Sequence, residues 1–258
     1  MIKYTNKMEN QNQIELLAQA SLTGKNYEQA YKYYSQLLEV DTTNKDYWIG
    51  KARSAGNLST IENSKLLEVI MCVKMADQIS PFSSEEKKTI AYELVEMAKI
   101  KVHNGLNYFD EEVNRKFSAI NILPGTLYAV HEMKKLNLYS EVGRHVRPAM
   151  IECFDLMDYA CQLDGSESNF NVTVALFNTV FEHAKNKMNW FGALNSNAHC
   201  LEIWNRAETG LKKINPDKYN PINKDSVSNK EESNSGCIKT ILLVVIVILF
   251  ILMFIGIL

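Results

Sequence analysis

The chain has 258 residues, 46% of them hydrophobic and 22% charged, with 28 lysines and arginines against 30 aspartates and glutamates. A net charge of −2 excludes the basic footprint of a nucleic-acid-binding surface, and the apolar fraction excludes a disordered polyanion. A folded body remains, and its apolar residues recur at intervals of three and four rather than two. That spacing predicts an all-α fold built of antiparallel helix hairpins, with no strand.

Residues 1–10 read as a polar tail. The first 14, MIKYTNKMENQNQI, contain no apolar stretch that could serve as a secretory signal, so the N-terminus is expected on the cytoplasmic side. Residues 11–82 carry the clearest pattern. Ala18 follows Ile14 by one helical turn on a first helix, and Tyr27, Ala30, Tyr34 and Leu37 line one side of a second. Ala18 and Ala30 are small enough for the two helices to approach closely, Tyr27 and Tyr34 cover the seam, and Gly24 with Asn26 supplies the turn. Tyr31 shares that side, whereas Tyr33 points elsewhere, free to contact a partner. Thirty-four residues after Ile14 stands Trp48, and Ala52 follows it as Ala18 follows Ile14.

A bulky residue and then a small one on a first helix, NYEQAYKYYSQLLEVD on a second, and a restart after 34 residues together resemble a tetratricopeptide repeat. The resemblance covers about 70 residues. In the second repeat Trp48, Ala52, Ala76 and Pro81 match, the turn is longer, and Val69 stands where the family has a small residue. The resemblance implies stacked helix pairs with a groove that binds segments of other proteins. It places Asn12, Glu15 and Gln19 of the first repeat in that groove, with Asp46, Ile49, Gly50 and Arg53 of the second. Ile14, Ala18, Tyr27, Ala30, Tyr34, Trp48 and Ala52 form the repeat core. The family's clamp for a chaperone-tail carboxylate uses lysine and asparagine where this chain has Glu15, Gln19 and Gly50, so that ligand is not expected. The hairpins could equally cap the helical body.

Residues 83–213 read as further hairpins or a bundle. Ser83 and Glu86 have capping-box spacing and open a helix whose stripe is Ile90, Leu94, Met97 and Ala98. Later helices are expected over 108–121, 127–135, 140–162, 170–188 and 195–213, with Pro148 kinking or splitting the third of these. The five histidines, His103, His131, His145, His183 and His199, show no HExxH or other two-ligand spacing, and phosphate loops and nucleophile elbows are absent. No metal, cofactor or catalytic residue is therefore assigned. Arg144, His145 and Glu182 are the speculative members of an enzyme site, should one exist in these helices. Cys72, Cys153, Cys161, Cys200 and Cys237 are scattered and odd in number, which reads as buried thiols in a reducing compartment.

Residues 214–237 are polar with two prolines, and read as a flexible tether. Residues 238–258 follow as a single transmembrane helix. Its apolar run, ILLVVIVILFILMFIGIL, opens at Ile241 and closes at Leu258, and as a helix spans roughly 27 Å, about the hydrocarbon thickness of a bilayer. The expected arrangement is single-pass and tail-anchored, with the N-terminus cytoplasmic, in a bacterial inner membrane or an organelle membrane. The leading functional expectation is a membrane-tethered interaction scaffold whose groove recruits a protein partner, with no nucleic acid bound. A membrane-associated enzyme and a structural subunit of a membrane complex stay open beside it.

Overall fold

The computed structural model describes residues 2–119, 128–187, 189–191 and 198–216, with the backbone alone for 2–10 and 128–131. These residues form eight α-helices: α1 Ile2–Thr23, α2 Tyr27–Val40, α3 Lys45–Leu58, α4 Leu66–Ile79, α5 Ser84–Ser118, α6 Tyr128–Leu163, α7 Glu167–Lys185 and α8 Ala198–Ile214. Among the described residues there is no strand, as the periodicity predicts. Helix α1 starts at Ile2 and so includes the residues read as a tail. No helix of the described residues is long and apolar enough to cross a membrane, and the run from Ile241 to Leu258 lies outside them, with Cys237 and most of the tether.

Successive helices pack on one another from α1 to α4, because each carries small residues along its seam. Ala18 and Ala30 are 0% exposed, and Tyr34, Leu37, Leu38 and Tyr47 close over them, with Ile14, Leu22, Tyr33 and Trp48 packed at the edge. At roughly 1.5–3 kcal/mol for each large apolar side chain buried, this cluster outweighs the modest helix propensity of its tyrosines. Enlarging Ala18 or Ala30 to leucine would force the helices apart. Tyr27 is only half-buried, and Tyr33 leans on the cluster rather than standing free for a partner. In the α1–α2 turn the left-handed residue is Lys25, at φ 59°, between Gly24 and the capping Asn26. The indole of Trp48 donates to the Thr42 carbonyl at 2.9 Å and ties α3 to its preceding turn. Gly50 has a packing purpose: the Tyr34 ring of α2 lies where a Cβ would sit.

The capping box at the start of α5 forms as its spacing predicts, the Glu86 amide donating to Ser83 Oγ at 3.2 Å and the Ser83 amide to Glu86 Oε2 at 2.9 Å. The helix then runs without the break expected before Tyr108. Gly105 is buried where Met150 of α6 presses on its backbone, so this glycine allows close contact instead of ending the helix. Helix α6 likewise merges the segments expected at 127–135 and 140–162, and Pro148 lies inside it. Pro148 is exposed, as is Arg144 one turn earlier, so water can satisfy the carbonyl that the missing N–H leaves free. Helices α5 and α6 pack along each other, and α7 and α8 complete the second half against them. Its core is aromatic. The rings of Phe154 and Phe177 stack at 3.7 Å, Phe191 meets Phe154 edge-on at 5.7 Å, and Phe109 stacks on Trp190 at 4.8 Å. Helix α8 adds Cys200, Ile203, Trp204, Ala207 and Leu211 on one buried stripe.

Candidate functional site

Two places gather functional side chains from separate elements. The first is the face formed by α1, α3 and the start of α5, where the groove residues were expected. Asn12, Gln19 and Asp46 are exposed. Glu15 is half-buried and accepts hydrogen bonds from the Tyr47 hydroxyl at 2.9 Å and the Gln19 amide at 3.3 Å, so its carboxylate is committed to the seam. Burial of Tyr47 raises its hydroxyl pKa above the ordinary value, with the Glu15 carboxylate adding in the same direction.

Two expected contacts are corrected. Ile49 is only 9% exposed and belongs to the core, and Gly50 is covered by the Tyr34 ring. Arg53 forms a two-pronged pair with Glu93 of α5, Nε to Oε2 at 2.8 Å and Nη2 to Oε1 at 2.9 Å. Lys45 meets Glu86 at 2.6 Å, and this bond, with the Ser83 N–H, pulls the exposed Glu86 carboxyl down to about 2. The first turns of α5 thus pair with the second half of the face, leaving exposed Asn12 and Gln19 along α1, with Leu16, 66% exposed, between them, and Asp46 at the N-terminal end of α3. Sequence spacing could not reveal this, because the pairing residues are 40 and 41 apart.

The second place lies between α5 and the end of α7. Glu182 and His183 are neighbours in sequence, but Glu182 pairs with Lys185 on the exposed side at 3.2 Å. His183 turns inward, and its Nε2 lies 3.2 Å from Asp110 Oδ2 of α5. Lys187 also binds Asp110 and stands 3.0 Å from His183 Nε2. The indole of Trp190 donates to His183 Nδ1 at 3.1 Å. An indole N–H can only donate, so Nδ1 accepts from Trp190; in the neutral ring the proton is then on Nε2, shared with Asp110, and the Lys187 ammonium, also only a donor, stands beside that N–H as a charge contact and not as its hydrogen-bond partner. Burial lowers the His183 pKa and the Lys187 charge adds to this, outweighing Asp110. Burial would raise the Asp110 carboxyl, but hydrogen bonds from Lys187 and His183 hold it below its usual value.

This cluster resembles an acid–base pair in composition only, because the one lone pair that could take a proton from a substrate is occupied by Trp190. The other speculative enzyme residues do not join it. Arg144 and His145 are exposed on α6, while Arg147, one turn on from Arg144, donates from Nη2 to the Trp190 carbonyl at 2.5 Å. His199 pairs with Asp155 at 2.5 Å, and His103 is exposed.

Elsewhere the chemistry is muted. Burial pushes the thiols of Cys72 and Cys161 up to about 11 and those of Cys153 and Cys200 up to about 12, far from thiolate reactivity. A cleft of about 540 Å³ opens between α6, α7 and α8 over Cys161, Phe170 and Gly210, with Arg206 and Lys213 at its rim. A smaller one of about 380 Å³ lies over Lys101 and Tyr108, and there Lys101 donates to the Ser59 carbonyl at 2.6 Å. Among the described residues no three histidine, cysteine or acidic side chains converge as metal ligands. Neither the known protein families nor the curated proteins contain a match to this chain.

Proposed function

We propose that the chain is a membrane-tethered interaction scaffold: a body of tetratricopeptide-like helix hairpins that holds a protein partner beside a bilayer. The observation that carries this reading is the set of exposed side chains Asn12, Leu16 and Gln19 along α1 and Asp46 at the start of α3, carried on closely packed hairpins. The apolar run from Ile241 to Leu258 has the length and composition of a membrane-spanning helix, which would supply the tether. Tethering then supplies the mechanism. Confining a weak contact to a membrane surface raises the effective concentration of the partner, and no chemical step by this chain is required.

The test compares partners crosslinked to the intact chain in membranes with those of a variant carrying Asn12→Arg, Gln19→Arg and Asp46→Lys. All three positions are exposed, so folding is expected to survive. Loss of specific partners, with membrane insertion and thermal stability unchanged, is the expected result. An unchanged partner set would remove these residues as the functional surface.

A further inference from the structure

Trp190, just beyond α7, is held from three helices. The residue is 3% exposed, its ring stacks on Phe109 of α5 at 4.8 Å, and its Cβ lies against the position a Cβ on Gly143 of α6 would take. Its carbonyl accepts from Arg147 of α6, and its indole N–H donates to His183 Nδ1 of α7. The first two fastenings are insensitive to pH near neutrality, since an aromatic stack and an arginine do not titrate there. The third is different, because it requires a lone pair on the imidazole.

We infer that His183 is a proton-operated latch on Trp190: a proton taken up at Nδ1 converts the acceptor into a donor, breaks the indole hydrogen bond and releases the Trp190 side chain from α7. Two donors cannot share one bond, so the protonated ring and the closed latch exclude each other.

The charged surroundings fix the direction of tuning. From α5, Asp110 faces Nε2 and favours the imidazolium. From α7's own end, Lys187 stands against the same nitrogen and opposes it. Glu182 and Lys185 neutralise each other on the outer side. From α6, Tyr139 reaches the Phe109 ring and Arg147 the Trp190 carbonyl, and neither is hydrogen-bonded to the imidazole. Phe109 meets the ring edge-on at 5.3 Å and supplies the apolar wall. The apolar wall and Lys187 favour the neutral ring and the closed latch, and Asp110 opposes them. Nothing in this inference depends on the exposed residues of α1 and α3.

The experiment follows the full chain in detergent micelles, labelled with ¹⁵N at histidine and tryptophan, by NMR from neutral to acid pH. Trp190→Phe assigns the Trp190 indole resonance, with Trp48 and Trp204 as internal references. At neutral pH the His183 ring is expected as the Nε2–H tautomer. As it protonates, the Trp190 indole resonance should move with the same midpoint and its solvent exchange should rise about tenfold, while the two references stay still. Lys187→Met should raise that midpoint and Asp110→Asn should lower it, each by about one pH unit. An Nδ1–H tautomer at neutral pH, or a Trp190 indole signal that ignores the His183 titration, overturns the latch. So do substitutions at Lys187 and Asp110 that move the midpoint in the same direction. The wild-type titration decides the matter even if a variant fails to fold.

Discussion

Replacing Ile49 by aspartate separates a groove contact from a core residue, because the two readings differ by several kcal/mol. Ile49 is 9% exposed. Removing its apolar side chain from the interior costs about 2–3 kcal/mol, and a carboxylate left there without a designed partner adds at least about 2 kcal/mol, whether it stays charged or takes up a proton. Arg53 lies one turn away but is already held by Glu93, so rescue by ion pairing would sacrifice an existing bond. The expected loss is therefore about 4 kcal/mol or more. For a body of this size that lowers the melting temperature by roughly 8–16 °C. The assay is thermal and urea unfolding of the full chain, followed by circular dichroism at the helix band, with Asp46→Lys as the exposed control expected within about 0.5 kcal/mol. A loss below about 1 kcal/mol for Ile49→Asp would refute the packing of α3 and return Ile49 to the surface.

Four further predictions follow from the packing and the ion pairs. Ser83→Ala removes the capping box of α5 and should cost about 1 kcal/mol. Glu86, whose carboxyl is held near 2 when folded against an ordinary 4.5, contributes stability that is complete above pH 4.5 and disappears as pH falls toward 2, so Glu86→Gln should flatten the acid limb of the stability profile over that window. A double-mutant cycle on Arg53 and Glu93 should return about 0.5–1 kcal/mol, shrinking in high salt, because both side chains keep contact with water. Cys72, Cys153 and Cys200 should resist iodoacetamide at pH 7.5 until the chain is unfolded, since burial keeps their thiols protonated, and peptide mass spectrometry would show rapid native-state labelling if they were exposed.

What could be read from sequence was local. Ser83 and Glu86 sit three apart, and a capping box needs nothing more. Ala18, Ala30 and Ala52 announced a close seam because only small side chains allow one, and they are 0%, 0% and 3% exposed. The break expected before Tyr108 does not occur, because Gly105 is a seat for Met150, a use that depends on a partner helix far away in sequence, and Pro148 lies inside α6 on a wetted face and does not split it, a choice its local sequence left open. Ile49 was placed by family position, but the face it occupies is filled by the body. The pairing of His183 with Asp110 spans 73 residues, and that of Arg53 with Glu93 spans 40, so neither leaves a periodic trace. Glu182 attracted attention only by adjacency, which on a helix separates side chains by about 100°.

The tyrosine of α2 that rests on a glycine of α3 has a consequence for how this chain could be cut or rearranged. Tyr34 belongs to the first hairpin and Gly50 to the second, yet neither position makes sense without the other. A fragment ending at Asn44 would bare a large aromatic ring to water, and a hairpin borrowed from elsewhere would fit beside the first only if it brought a glycine to the same register. The 34-residue spacing suggests interchangeable parts, but the steric complementarity across the boundary makes the first two hairpins a single unit of inheritance.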